Sequence, residues 1–407
     1  NPSSKIQFQM NYTESPRAED AGGITLEDSE QNRSQARQRN LDYDTYESVN
    51  HFKIGLNWDK SWTDKVILST YGFYSFRDFY GKLPFENGGI IDLKRNYFGL
   101  GSRLNYKIGK NNLQVAAELL DQSDQRDRYL NILGSQGSIS FSQKEKFQNL
   151  SFSILDELKL EKLFFRLSLR YDDMRLGTDG FSQDQFYQVI NPSLGVSLAL
   201  APYQNLYANF STSFETPALS ELSANPSGAE GFNLELSPSE AVSYELGWKA
   251  QGQKFKIESN LFLIESSNEI LPYELEEFPG RSFYRNTGAT QRYGFELAAL
   301  YKYQQWELKT SVTQAKYLFK DSNNLGNALP GIPDSQIFLQ LGYLLTNDLN
   351  LLISAEHVGE LFADNSNTVK VESFRRVRFQ IGKSFNFNKL EIGFSAGVNN
   401  IFNNRYF

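Results

Sequence analysis

The hardest constraint on this chain is a rhythm of two residues. Long runs place an apolar side chain at every second position and a polar one between, which marks strands with one greasy and one wet face. From Phe165, the residues Phe165, Leu167, Leu169 and Tyr171 share one side, while Arg166, Ser168, Arg170 and Asp172 share the other. Leu206, Ala208 and Phe210 oppose Asn209, Ser211 and Ser213. Val377, Phe379 and Ile381 oppose Arg376, Arg378 and Gln380. Leu390, Ile392, Phe394, Ala396 and Val398 oppose Glu391, Gly393, Ser395, Gly397 and Asn399.

Short polar turns punctuate these runs near Thr63, Lys110, Glu161, Tyr203, Gly252, Gln304, Asp348 and Asn388. Between successive turns, two strand-like runs flank a longer stretch rich in Gly, Asn, Ser and Asp. The spacing is too irregular for a solenoid. It predicts an all-β, up-and-down antiparallel meander with tight turns at one end and long loops at the other.

Two architectures fit that pattern. A soluble sandwich or barrel turns the apolar face inward; an outer-membrane barrel turns it to lipid and lines a wet lumen with the polar face. Strand length favours the second, because the runs 66–83, 91–108 and 138–160 exceed the usual five or six residues of soluble strands. The tryptophans point the same way. Trp58, Trp62, Trp248 and Trp306 all lie by short turns, as do Tyr106, Tyr203, Tyr301, Tyr303, Phe385 and Phe387. Such clustering is expected of a girdle at a membrane interface, where an aromatic ring keeps its body in oil and its polar edge by the headgroups.

Composition removes other classes. No run approaches the ~20 apolar residues of a membrane helix. With Lys+Arg 41 against Asp+Glu 48 and no basic block, the chain is acidic and unlike a nucleic-acid binder. It has no cysteine and two histidines, His51 and His357, without metal-ligand spacing. The stretch Asp321-Ser-Asn323-Asn-Leu325-Gly326 fails as a calcium loop, with Leu325 at the fifth position and Ile332 where a glutamate is required. Gly99-Leu-Gly101-Ser-Arg-Leu104 lacks the third glycine of a dinucleotide loop and sits in a strand pattern. Neighbouring carboxylates such as Asp172/Asp173 and Glu276/Glu277 do not single out a catalytic pair. The reading is therefore of a protein that is not an enzyme, with no cofactor and no metal site.

Counting runs gives about seventeen strands, the first over 5–14. An odd number cannot close antiparallel, and an open edge in lipid is prohibitive. The expectation is an internal piece of a larger barrel lacking at least one strand, beyond Phe407. The N-terminal Asn-Pro-Ser-Ser shows no signal peptide, which says nothing about destination.

Function is expected in the long loops, placed at 15–48, 120–138, 177–187, 215–240, 266–290, 318–335 and 359–372. They hold Arg126, Arg128, Arg281, Tyr284 and Arg285. Arginine with tyrosine suits an anionic, partly aromatic ligand, because guanidinium grips carboxylates in a bidentate way. The plainer alternative is pairing of these arginines with nearby carboxylates such as Asp127 or Glu277.

The order of several motifs resembles the late barrel of TonB-dependent outer-membrane receptors. They are Ser213-Phe-Glu-Thr-Pro217-Ala-Leu-Ser-Glu221-Leu, Leu236-Ser-Pro-Ser-Glu240, Tyr244-Glu-Leu-Gly247, Asn286-Thr-Gly288 and Gly294-Phe-Glu296. The ending Gly397-Val-Asn-Asn-Ile-Phe-Asn-Asn-Arg405-Tyr406 is similar to the segment before that family's final strand. Gly22-Gly-Ile-Thr25-Leu-Glu27, Tyr71-Gly-Phe-Tyr74 and Arg77-Asp-Phe79 look like the ferric-citrate and siderophore branch. The resemblance implies a transmembrane barrel of about 22 strands around an N-terminal plug. By that count residues 1–407 are a partial barrel domain, without plug, TonB box, early strands or last strand. It further implies the outer membrane of a Gram-negative bacterium, active uptake of a ferric chelate driven by TonB through the N-terminal region, and lipid as a partner. A glycan or peptide importer, a passive porin and a soluble β-rich binding module remain as alternatives.

Overall fold

The computed structural model describes residues 3–406, apart from 180–183, 228–230, 279, 287, 322–323, 347 and 389. Thr287 of one family-like motif, and Ser322 and Asn323 of the rejected calcium loop, thus lie outside the described residues. The first strands are β1 (Ser4–Glu19), β2 (Tyr46–Thr63), β3 (Val66–Lys82), β4 (Ile90–Ile108), β5 (Asn111–Ile132), β6 (Ser135–Lys159) and β7 (Leu163–Thr178). There follow β8 (Gln185–Ala201), β9 (Gln204–Glu215), β10 (Ser239–Gln251), β11 (Phe255–Ser267), β12 (Ile270–Glu274), β13 (Ser282–Asn286) and β14 (Thr290–Tyr303). The last are β15 (Trp306–Phe319), β16 (Ser335–Thr346), β17 (Leu349–Val358), β18 (Leu361–Phe362), β19 (Lys370–Val371), β20 (Phe374–Phe387) and β21 (Leu390–Val398). Three short helices, α1 (Leu26–Gln31), α2 (Gln38–Asp42) and α3 (Leu219–Leu222), lie in the loops.

Seventeen strands form one antiparallel sheet in which each pairs with its sequence neighbour. The pairs β12–β13 and β18–β19 are small hairpins within loops. All eight tight turns fall where the polar punctuation puts them. Among the described residues, no pairing joins β1 to β21.

The alternation sorts as a membrane barrel requires. On β1, Ile6, Phe8, Met10 and Tyr12 are more than half exposed, and Leu150, Phe152 and Ile154 on β6 also face out. Opposite parity lines the concave side, where Gln7, Asn57, Tyr71, Glu118, Ser151 and Arg170, drawn from β1 to β7, bound one cavity of about 550 Å³. Burying the outer set in water would leave an apolar belt far larger than a soluble surface carries. Near the tight turns, Trp58, Trp62, Tyr106, Tyr203 and Trp306 are exposed on the same outer surface. Trp306 packs its ring on Tyr343 at 4.4 Å, and the Trp58 indole N–H donates to Ser4 Oγ at 2.8 Å.

The tightly packed core sits in the mouth rather than in the wall. Loop 216–238 bends inward, so that Leu219, Leu222, Phe232 and Leu236 pack on the inward-facing Met174 and Leu176 of β7. At the loop end one expectation is corrected. Segment 120–138 is not a loop: β5 and β6, 22 and 25 residues long, run on to a two-residue turn at Leu133–Gly134. From Gln122 to Arg128 the inward positions of β5 are all polar, so the ladder continues far above the membrane. Residue 128 lies 128 − 110 = 18 positions beyond the tight turn. At about 3.3 Å per residue and a tilt near 40°, that is about 45 Å of height against an apolar band about 25 Å tall.

Candidate functional site

The extended β5–β6 hairpin supplies one wall of the mouth. Its inward positions carry a ladder of charge. Arg95 of β4 grips Asp124 through Nε and Nη2 at 2.9 and 2.6 Å. Arg126 grips Glu145 of β6 in the same bidentate manner, at 2.8 and 3.1 Å. Arg126 and Glu145 are 4% and 0% exposed, and Ser223 Oγ and Gln143 Nε2 also donate to the Glu145 carboxylate. The partner is therefore neither of the sequence neighbours expected for it. Arg126 is committed to holding loop 216–238 against the wall.

Arg128, one inward step higher, differs. It is buried, has no ion-pair partner among the described residues, and its Nε has no acceptor. Burial, then repulsion from Arg281 and Arg126, pushes its pKa down to about 9, against the pull of Glu145 and Tyr284. Arg281 comes from the loop between β12 and β13, some 150 residues later in the chain. Its Nε is likewise buried without an acceptor, burial lowers its pKa, and its guanidinium stands over Phe278 and Phe283 at 5.7 and 4.9 Å. Tyr284 packs on the mouth core; burial and Glu221 raise its pKa, opposed by Arg128. An anion placed among these groups would recover the charge stabilisation that burial has removed from both guanidiniums.

Of the five residues expected from sequence, the fold brings Arg126, Arg128, Arg281 and Tyr284 together. Arg126 and Arg128 stand on strand β5, not in a loop. Arg285 is set apart: it is exposed, with its guanidinium 5.0 Å from the Tyr273 ring.

Beside Arg281 opens a cavity of about 560 Å³ lined by Arg39, Tyr43, Phe85, Asn87, Leu130 and Phe278, among others. Loop 83–89, which contributes Phe85, carries no strong signal in the sequence. Asn131 holds this region. Its side-chain amide donates to the carbonyls of Tyr43 and Leu83 at 3.1 and 2.9 Å, and its oxygen accepts from the Gly134 N–H at 2.9 Å. Lys82 ties the same corner to Asp44 and to the Gly134 carbonyl. The available signal was the run of polar residues at alternate positions, Gln122, Asp124, Arg126 and Arg128, which marks all four as one inward row.

Comparison with known proteins agrees with the fold. The family described as TonB dependent receptor-like, beta-barrel matches residues 2–401. The catecholate siderophore receptor Fiu of Escherichia coli (strain UTI89 / UPEC) is 21% identical over 231 residues, 54% of this chain and 29% of that protein. The probable TonB-dependent siderophore receptor PiuA of Acinetobacter baumannii is 24% identical over 287 residues, 64% of this chain and 37% of that protein. This chain thus spans about a third of the length of the curated relatives it matches. The unliganded crystal structure of the ferric citrate transporter FecA superposes with a TM-score of 0.82 at 19% identity, over 100% of this chain and 66% of that one. At such identity the structural likeness is one of fold. With the family match running nearly end to end, the chain belongs to the TonB-dependent receptor β-barrel family.

Proposed function

We propose that this chain forms the barrel wall of a receptor in the outer membrane of a Gram-negative bacterium, which captures a ferric chelate and imports it with energy delivered through TonB. One observation carries the reading: Arg128 and Arg281 converge at the mouth, and among the described residues each has a buried Nε without an acceptor and neither has a carboxylate partner. Buried polar groups in folded proteins are otherwise nearly always satisfied, so an uncompensated pair of guanidiniums marks a place kept for an anion. Ferric citrate and ferric catecholates are anionic, and the rings of Phe278, Phe283 and Tyr284 around the pair suit the flat parts of such a ligand. The names of the relatives support the same cargo, as does a wet inner face that would meet both a plug and the ligand.

The test is R128Q/R281Q in the complete receptor, with ferric citrate and a ferric tris-catecholate as probes. Loss of two charge-assisted contacts should weaken binding of the recognised chelate by about a hundredfold. Unchanged affinity would remove the mouth site.

A further inference from the structure

We propose that the upper part of β6 is a docking edge for another polypeptide outside the cell, whose extended segment, with alternating apolar side chains and an acidic end, adds a strand beside residues 136–144. The proposal rests on the reading of the chain as an outer-membrane barrel and not on what the barrel imports.

The registers define the edge. β5 is flanked almost to its turn, since Ile90 of β4 pairs with Tyr129. β6 is not. It begins at Ser135, yet β7 joins it only from Glu145, opposite Thr178. Asp184 is ion-paired with Arg175 and Gln185 pairs with Leu176, so β8 descends along β7 and does not climb beside β6. Among the described residues, no strand pairs with residues 136–144 on the flank away from β5. The Lys144 carbonyl accepts from the Asp179 N–H at 3.0 Å, which shows that the backbone groups of Lys144 point to that flank. Those of Ser142 point the same way, because the direction alternates along a strand.

Sheet edges are usually guarded by charge, by proline or by a covering element. The stretch Gln136-Gly-Ser-Ile-Ser-Phe-Ser-Gln143 has neither charge nor proline. The register slip opposite Arg128 and Tyr129 is a partial guard: it bends β6 near Ser140 and shortens what can pair there. Beside the edge, Ile132, Leu133 and Ile139 are each more than half exposed. Ile139 pairs with Tyr129, so it stands about 45 Å above the tight turn, where no lipid covers it. An added strand gains affinity from main-chain bonds and selectivity from alternate side chains, and these apolar residues supply the second. Charge fixes one end. Lys146 and Lys144 share one carboxylate, Asp179, at 2.6 and 3.5 Å. Lys144 is therefore held the more loosely and can turn to a partner's acid.

A second copy in the same membrane does not fit this edge. Both β6 strands would descend together, each tilted about 40° from the membrane normal, and a two-fold axis along that normal would cross them at about 80°. Neighbouring strands of a sheet are rotated by only about 25°. The occupant is therefore a different polypeptide.

The test uses the complete receptor in detergent micelles. The probe is a short fluorescent peptide of alternating valine and threonine that ends in a pair of glutamates. The parent should bind it saturably, with a Kd of about 10–100 µM. The same peptide N-methylated throughout should bind about tenfold more weakly or worse, and S142P should weaken the unmodified peptide as much, because each change removes donors from the new ladder alone. K144E should weaken the acidic peptide about fivefold and favour one that ends in lysines. Amide exchange in β5 should match between S142P and the parent, which distinguishes a lost edge from a lost hairpin. No saturable binding by the parent overturns the docking edge, and so does equal binding of the N-methylated peptide, unchanged binding by S142P with β5 intact, or an unchanged preference in K144E. Dimerisation of the parent that S142P abolishes would give the edge to a second copy and overturn the proposed partner. Release of the complete receptor into buffer without detergent would sink the membrane reading itself.

Discussion

At the scale of single residues, the mouth separates two arginines that look alike in sequence. Arg126 meets Glu145 with matched geometry and stabilises the fold around Ser223 and Gln143. Arg128, two residues on, is buried without compensation and is a local cost. Its pKa is depressed by burial from the ordinary guanidinium range to about 9, so the folded mouth disfavours its proton. The stabilising contribution of such a group is present above the unfolded pKa and lost as pH falls through the folded one. At pH 7 the full cost is therefore in place. R128M should make the ligand-free mouth more resistant to local opening than the parent at pH 7, and that advantage should shrink as pH rises above about 9. Amide hydrogen exchange in β5 and loop 216–238 at several pH values reads this. An advantage that does not change with pH would mean that packing, not charge, is responsible.

At the scale of elements, the β5–β6 hairpin is the beam on which the site is built, and its turn is a poor one. Leu133 and Gly134 both have positive φ, at 46° and 87°. Two-residue turns of this kind prefer Asn-Gly, because a branched, bulky side chain is crowded in the left-handed region. Leu133 is moreover 68% exposed, so little packing offsets the strain. L133N should slow exchange of the amides flanking the turn, equivalent to about 0.5–1 kcal/mol. Faster exchange would show that Leu133 has a local contact outweighing its backbone cost. The turn is tolerated because Asn131, Lys82 and Asp44 clamp the hairpin end from outside the turn. Loops 20–45 and 83–89 are anchored to that same clamp, so the beam sets where the cavity beside Arg281 opens.

At the scale of the molecule, one sheet separates oil from water, and adjacent residues have opposite fates. Ile154 points out and Ser153 lines the lumen cavity. I154R should cost about 2–4 kcal/mol of folding stability in lipid vesicles, and S153R much less. Similar costs for the two would mean that the outer face does not meet hydrocarbon. The sorting of faces was legible from the chain alone, because side-chain alternation follows from strand geometry at each residue and needs no distant partner. For the same reason the eight tight turns and the seventeen strands could be read locally. The extent of β5 and β6 was misread as a loop, since its apolar face thins once the strands leave the membrane while its polar parity persists. Which arginine is neutralised was not legible at all. Glu145 reaches Arg126 across a register set by the whole hairpin, and Arg281 reaches Arg128 from the loop that follows the sixth barrel strand along the sheet. Sequence sorted the side chains of the strands it recognised into two faces, because alternation is a property of neighbours in the chain. Only the closing of loops over the mouth decided which charges are left without a partner, because compensation depends on distance in space.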